Sequence, residues 1–114
     1  MTPLEMANLY FQLSNESNFG EIKKLFDDSS TFRSGTGELF LGVDNIMPMQ
    51  KTYHGQFTAL EWTVNNVSEI KPGIIHFEFN FKGKAKTGEV IEYSGLEDVV
   101  IFNGKIQHIQ VQRL

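Results

Sequence analysis

The amino-acid sequence predicts an α+β fold in which a cone of curved antiparallel β-sheet is covered by three helices from the N-terminal half of the chain. Helical patterns occupy the first half of the sequence, and long alternating strands occupy the second half. The clearest strand is residues 74–82, where Ile75, Phe77, Phe79 and Phe81 alternate with polar residues. Three phenylalanines on one face of a strand need a thick apolar layer opposite them, which the helices would supply.

Length and composition limit the classes of protein that this chain can belong to. Its 114 residues are 40% hydrophobic and 21% charged, so we expect residues 1–114 to form one globular domain. The net charge of −4 offers no electrostatic footprint for nucleic acid, and the absence of cysteine excludes disulfides, thiol nucleophiles and thiolate metal sites. No stretch has the pattern of a signal peptide or a membrane span, so we expect a cytoplasmic protein without a membrane partner.

Capping signals predict the first two helices. Thr2, Pro3 and Glu5 combine a capping threonine, a proline at the first helical position and a glutamate three residues after the cap. Asn18 followed by Glu21 predicts a second, shorter helix by the same logic. Apolar residues at helical spacing mark the buried sides of these helices: Met6, Leu9, Tyr10 and Leu13, then Phe19, Ile22, Leu25 and Phe26.

Two short strands and a third helix are predicted next. Residues 31–33 and 38–41 are typical of short strands, and glycines mark the turn between them. We expect the third helix over residues 44–57. Pro48 lacks the backbone N–H that a helix interior needs, so we expect it in or near the first turn. Four side chains of this helix should face inward: Ile46, Met49, Gln50 and Tyr53.

The remaining sequence is typical of long strands. Residues 60–64 alternate in the same way as residues 74–82, and a polar connection follows at residues 82–88. Residues 89–102 are long for one strand, and Gly95 within them predicts a bulge or bend. Asn103 and Gly104 then form the pair most typical of a two-residue hairpin turn, before a final strand begins.

The register of this hairpin decides which side chains face the interior. Without a bulge, the more apolar face contains Leu96 opposite Val111, Asp98 opposite Ile109, and Val100 opposite Gln107. We therefore expect Asp98 to be a buried carboxyl whose pKa is raised by desolvation, and a neutral aspartic acid can donate a hydrogen bond. The alternative is a structural role, in which Asp98 pairs with an arginine such as Arg33 or with backbone.

These stretches resemble the nuclear transport factor two-like superfamily, which includes the SnoaL-like polyketide cyclases and the ketosteroid isomerases. The resemblance rests on residues 10–28, on Gly42 before the third helix and on residues 98–106, and it covers nearly the whole chain as a pattern of apolar residues and turns. It implies a cystatin-like or SnoaL-like roll. It also implies an oxyanion hole, because Tyr10 and Asp98 match the tyrosine and the aspartic acid that ketosteroid isomerases use for that purpose.

The sequence departs from the catalytic pattern of these relatives. The catalytic base of the isomerases falls at or next to Ser34, and serine cannot act as the unassisted base of an enolisation. Gln50 falls near the place of their supporting tyrosine, with Tyr53 one turn further on. Limonene epoxide hydrolases share the superfamily and use an Asp-Arg-Asp relay, of which Arg33 and Asp98 match only parts. The resemblance therefore predicts the fold without predicting steroid isomerisation.

Two functions remain open from the sequence. The domain is either a small isomerase, cyclase or hydrolase in which Tyr10 and Asp98 polarise an oxygen of an apolar substrate, or a non-catalytic domain for ligand binding or protein assembly. In both cases we expect a small apolar molecule in the cone. Its predicted contacts are Phe32, Ser34, Tyr53, Trp62, Phe77 and Val100. We expect no cofactor and no metal, because His54, His76 and His108 are not spaced as a ligand set.

The predicted outer face of the sheet suggests a partner. In the unbulged register, Val99, Ile101 and Ile106 lie on this face among polar neighbours. Such a patch is more apolar than a solvated surface requires, and a two-fold interface would cover it. We therefore expect a homodimer formed through the sheet.

Overall fold

The computed structural model describes residues 1–114 as three helices and a six-stranded sheet. In chain order the elements are α1 (Pro3–Asn15), α2 (Phe19–Lys23), β1 (Thr31–Arg33), β2 (Leu39–Leu41), α3 (Val43–His54), β3 (Phe57–Lys71), β4 (Ile74–Ala85), β5 (Val90–Phe102) and β6 (Lys105–Arg113). The strand order is β2-β1-β6-β5-β4-β3. Neighbouring strands are antiparallel except β1 and β6, which run parallel, so the sheet is mixed. The predicted fold, with three helices on a curved sheet, is confirmed.

The helices begin where the capping signals predict. The Thr2 hydroxyl accepts a hydrogen bond from the Glu5 amide at 3.1 Å, and the Glu5 carboxylate accepts one from the Thr2 amide at 2.9 Å. The Asn18 side chain caps α2 by accepting from the Glu21 amide. Pro48 lies in the second turn of α3, further from its start than predicted. Pro48 and Asp44 are both exposed, so water can hydrate the carbonyl of Asp44 that loses its helical partner.

The concave face of the sheet forms the core together with the helices. Ile75, Phe77, Phe79 and Phe81 of β4 are all buried, as their alternation predicts. Buried residues of the helices pack in the same cluster, among them Met6, Ala7, Tyr10, Leu13, Ile22, Ile46 and Met47. None of the helices is both long enough and apolar enough to cross a membrane.

The predicted bulge at Gly95 is wrong. Pairing between β4 and β5 is continuous through this position. A Cβ on Gly95 would lie 2.5 Å from the Gln112 carbonyl oxygen and would also collide with the ring of Phe79. Glycine is therefore needed here because a neighbouring ring and strand approach closely, and not because of a bulge.

The bulge lies in β6 instead. Asn103 and Gly104 form the predicted turn, with positive φ angles of 54° and 74°. Ile101 then pairs with Ile106, but Val100 pairs with His108, so Gln107 is an extra residue on β6. Beyond Gln107, Ile109 and Val111 of β6 keep the inner face that an unbulged hairpin predicts for them, whereas their partners on β5 face the opposite side from the predicted one. The inner face of β5 and β6 therefore contains the pairs Ile101 with Ile106, Val99 with Ile109, and Glu97 with Val111.

The connection after α2 holds this bulge in place. The buried Ser30 hydroxyl donates to the Ile106 carbonyl at 2.6 Å, and the Ser29 hydroxyl donates to Gln107 Oε1 at 3.1 Å. The Ile106 amide donates to the Leu25 carbonyl at 2.7 Å. Because these contacts satisfy the backbone groups that the bulge leaves unpaired, they stabilise the shifted register.

The register also changes the outer face of the sheet. Val99, Ile101 and Ile106, predicted to lie on the outside, are all buried in the core. The outer positions of β5 are instead Leu96, Asp98 and Val100. The residues from which the homodimer was predicted are therefore in the core, and a different set of residues forms the outer surface of the sheet.

Candidate functional site

A cavity of about 890 Å³ lies between the helices and the concave face of the sheet. Its exposed lining residues come mainly from the β1–β2 hairpin and from α3 with the residue Gln56 after it, and Arg113 at the end of β6 adds one more, so the mouth lies among these segments. Of the predicted contact residues, five line this cavity: Phe32, Ser34, Tyr53, Trp62 and Phe77. Val100 does not line it, because the bulge in β6 leaves Val100 on the outer face opposite His108.

Glu97 is the carboxyl that β5 directs into the cavity. It sits between Phe77 of β4 and Val111 of β6, and it forms none of the three ion pairs of the protein. Burial, and to a smaller extent the negative charge of Asp98, raises the pKa of Glu97 to about 8. At neutral pH this side chain is therefore mostly a protonated acid that can donate a hydrogen bond.

Tyr10 of α1 and Gln50 of α3 reach the same cavity. Gln50 Nε2 donates a hydrogen bond to the Tyr10 hydroxyl oxygen at 3.0 Å, which leaves the tyrosine proton for another acceptor. Burial, followed by the charge of Glu97, raises the pKa of Tyr10 above its ordinary value of 10.0, so the phenol remains protonated. Gln50 Oε1 is buried without any partner in the chain. Two proton donors and one unused acceptor thus lie along this part of the cavity.

Asp98 lies on the other side of the sheet. Its carboxylate accepts a hydrogen bond from His76 Nδ1 at 2.8 Å, and the two side chains are 33% and 31% exposed. The prediction that Asp98 faces the cavity among apolar side chains is wrong, because the extra residue in β6 turns the neighbouring Glu97 inward. The alternative of a structural role describes Asp98 better, although its partner is His76 and not Arg33.

The position expected for a catalytic base contains no carboxylate. Ser34 lines the cavity just after β1, and its hydroxyl is hydrogen-bonded to that of Thr36 at 2.9 Å. Glu38 also lines the cavity, but as an exposed residue near the mouth. His54 is hydrogen-bonded to Ser17 at 2.9 Å, and burial lowers its pKa to about 4, so it is neutral at pH 7.

A second polar group lines the cavity near its rim. The Tyr53 and Tyr93 hydroxyls are hydrogen-bonded to each other, and the Arg113 guanidinium lies over the Tyr93 ring, 4.0 Å from its centre. Burial is the main reason that the pKa of Tyr53 is raised, and its hydrogen bond with Tyr93 adds to the increase. Sequence reasoning identified Tyr53 but neither Tyr93 nor Arg113.

Comparison with solved structures identifies the fold. An NTF2-like protein of unknown function from Exiguobacterium sp. 255-15 superposes with a TM-score of 0.84 and 18% identity, over 96% of this chain and 98% of that one. A putative SnoaL-like polyketide cyclase from Shewanella putrefaciens CN-32 superposes with a TM-score of 0.81 and 11% identity, over 97% and 88%. A hypothetical protein with a ketosteroid isomerase-like fold from Catenulispora acidiphila, in complex with trimethylamine, gives a TM-score of 0.83 and 14% identity, over 97% and 85%.

These similarities confirm the predicted resemblance at the level of fold. The chain has the fold shared by nuclear transport factor two-like, SnoaL-like and ketosteroid isomerase-like proteins. No protein-family model matches the sequence, and no curated protein matches it either. Because one fold of this kind supports different activities, its function has to be argued from the cavity.

Proposed function

We propose that this protein binds a small apolar molecule in its cavity and hydrogen-bonds one oxygen atom of that molecule through Tyr10 and Glu97. The observation that carries the proposal is a protonated carboxyl on the concave face of the sheet, in the same cavity as a protonated phenol. Two donors fixed in a cavity that is lined in large part by apolar side chains stabilise a carbonyl oxygen, or negative charge that develops on it, better than water does. Glu97 therefore takes the role that the sequence predicted for Asp98.

The same pair of donors serves either a binding protein or an enzyme of the isomerase, cyclase or hydrolase type. A reaction that begins with proton abstraction needs a base, and the resemblance to the isomerases puts that base at or next to Ser34, a cavity residue that cannot act as one unassisted. We therefore favour binding and polarisation of an oxygen, with turnover only in reactions that a general acid can assist. The alternative is a non-catalytic ligand-binding or assembly domain.

The proposal is tested with two neutral ligands that differ in one oxygen, 2-acetylnaphthalene and 2-ethylnaphthalene. The protein should bind the ketone about tenfold more tightly, the effect of roughly one good hydrogen bond, when measured by calorimetry at pH 7. Tyr10→Phe and Glu97→Leu each remove a donor and should reduce this preference. Glu78→Gln is the matched control, because it changes an exposed carboxyl on the outer face of β4 that does not line the cavity, and it should retain the preference.

Equal affinity of the unmodified protein for the two ligands would contradict the proposal. So would a ketone preference that survives both Tyr10→Phe and Glu97→Leu, since oxygen recognition would then lie elsewhere. Circular dichroism of each variant checks that the fold is intact.

We also propose a homodimer formed through the sheet, on evidence different from the sequence prediction. The edge strand β2 exposes Leu39 and Leu41 by 54% and 59%, and the tip of the β5–β6 hairpin exposes Phe102 by 72%. Leu96 and Val100 add apolar surface on the outer face of β5. Light scattering at micromolar concentration should give twice the mass of one chain, and a monomer would contradict this proposal.

A further inference from the structure

We propose that the molecule bound in the cavity carries a carboxylate or a similar anionic group, which is held near the rim by Arg113 together with the hydroxyls of Tyr53 and Tyr93. This inference rests on the proposed function, because it adds a second contact to the same ligand. It defines the ligand class as apolar acids that also carry a carbonyl or similar oxygen, the latter held by Tyr10 and Glu97.

Arg113 carries a positive charge that no acidic side chain of the protein neutralises. The three ion pairs are Lys24 with Glu21, His76 with Asp98, and Lys82 with Glu92. The guanidinium of Arg113 lies over the ring of Tyr93, and none of its N–H groups is paired with an acidic side chain. The edge of a guanidinium has the geometry that binds both oxygens of a carboxylate.

Two glycines leave room for the arginine at the rim of the cavity. Its side chain lies against Gly35, where an added Cβ would be 2.8 Å from Arg113 Cγ and 3.1 Å from Nε. On the neighbouring strand Arg113 pairs with Gly95, which also lacks a side chain. Arg113 is an exposed residue that lines the cavity, so a ligand entering from solvent can reach its guanidinium.

The two tyrosines supply the neutral part of the same site. Their hydroxyls share one hydrogen bond, so one O–H proton of the pair remains to be donated. Tyr53 stays protonated at neutral pH because burial raises its pKa, although the charge of Arg113 opposes the increase. Tyr53 and Arg113 are thus close enough to act on one ligand group. A guanidinium beside a phenol donor is suited to an anion.

The spacing between this site and Glu97 limits the ligand. Glu97 pairs with Val111, and Arg113 lies two residues further along the same face of β6, so the two are diagonal neighbours. Diagonal positions in a sheet are about 7–8 Å apart, so one small ligand can contact both side chains. Glu38 also lines the cavity and opposes an anion there, and because Glu38 and Arg113 are both exposed, salt screens the repulsion and the attraction alike.

The test uses 6-acetyl-2-naphthoic acid and its methyl ester, which share the ketone and differ in the negative charge. At pH 7 and low salt the protein should bind the acid about tenfold more tightly than the ester, as a charge-assisted hydrogen-bonded pair allows. Arg113→Gln should abolish this preference. Arg33→Gln is the matched control, because it removes the same charge from a residue that does not line the cavity, and it should keep the preference.

Equal affinity for acid and ester in the unmodified protein would overturn the anionic site. A preference for the acid that persists after Arg113→Gln, or that is lost equally after Arg33→Gln, would overturn it as well. Failure of the proposed function is a different result, because it is read from the ketone and hydrocarbon pair with Tyr10→Phe and Glu97→Leu. The ketone preference can hold when the acid preference fails, so the two outcomes are separate.

Discussion

Glu97 and Asp98 are adjacent acidic residues, and β5 places them in opposite environments. Glu97 faces the cavity, forms no ion pair, and has a pKa raised to about 8. Asp98 faces outward, is one-third exposed, and is hydrogen-bonded to His76 at 2.8 Å. One extra residue in the neighbouring strand, Gln107, decides which of them enters the cavity. The chemistry available to a carboxyl in this sheet therefore depends on strand register more than on residue type.

The largest expected effect separates the two faces of β4. Phe79 is 3% exposed and packs in the core, so Phe79→Ala should lower the free energy of unfolding by roughly 3–5 kcal/mol. Glu78, on the opposite face, is exposed and accepts a hydrogen bond from Asn66 at 2.7 Å. Glu78→Ala should cost less than about 1 kcal/mol, as most surface changes do. Similar losses for both variants in urea unfolding would mean that the faces of this strand are wrongly assigned.

The next effect is the pH dependence that Glu97 imposes on stability. Its pKa is raised from 4.5 to about 8 in the folded protein, so between these values the folded state holds a proton that the unfolded state has released. Stability should fall as the pH rises through this interval and level off above it. Glu97→Gln removes the ionisable group. Water in the cavity makes the stability change smaller than the full pKa shift of Glu97 would give. The variant should therefore gain about 3 kcal/mol relative to wild type between pH 5 and pH 9.

Urea unfolding of both proteins at the two pH values measures this difference. Other titrating groups contribute equally to both proteins and cancel in the comparison. Parallel pH profiles for wild type and Glu97→Gln would show that Glu97 ionises freely in the folded state.

The smallest effect concerns the outer carboxyl. Asp98→Asn removes the negative charge that contributes to the raised pKa of Glu97, so that pKa should fall but stay above 4.5, because burial is the larger cause. The variant also weakens a partly exposed pair with His76, which should cost about 1 kcal/mol or less at pH 7. NMR titration of the variant measures the first change and urea unfolding the second. A loss of several kcal/mol in the free energy of unfolding would contradict the partly exposed position of Asp98.

The fold was predictable because its signals are local. The caps at Thr2 and Asn18, the alternation of the phenylalanine strand and the Asn103–Gly104 turn each depend on a few consecutive residues, and each is confirmed. The bulge in β6 was not predictable in this way. It is held by Ser29 and Ser30, and the Ser30 hydroxyl reaches a carbonyl 76 positions away along the chain. The residues next to Gln107 in the sequence give no indication of that long-range hydrogen bond.

The candidate site was predicted in part for the same reason. Tyr10 and Gln50 lie on helices whose inward faces follow from apolar spacing, so both were placed correctly. Glu97 depends on the bulge, and a one-residue error in register exchanged it for Asp98. The available signal was the pair of branched residues Val99 and Ile101, which share a face with Glu97. Arg113 belongs to the site because it pairs with Gly95 across β5 and β6. This pairing depends on the bulge and could not be predicted from the sequence.

The pKa of Glu97 in the folded protein is the quantity on which the proposed site depends most directly. Carbon-13 labelling of the glutamate side chains, with Glu97→Gln to assign the signal, allows its carboxyl group to be followed through a pH titration by NMR. We predict a midpoint near pH 8. The carboxyl group is then mostly protonated at neutral pH and can donate a hydrogen bond. A midpoint near the ordinary glutamate value of about 4.3 would mean that Glu97 is ionised in the cavity, and it would contradict its role as a donor to a ligand oxygen.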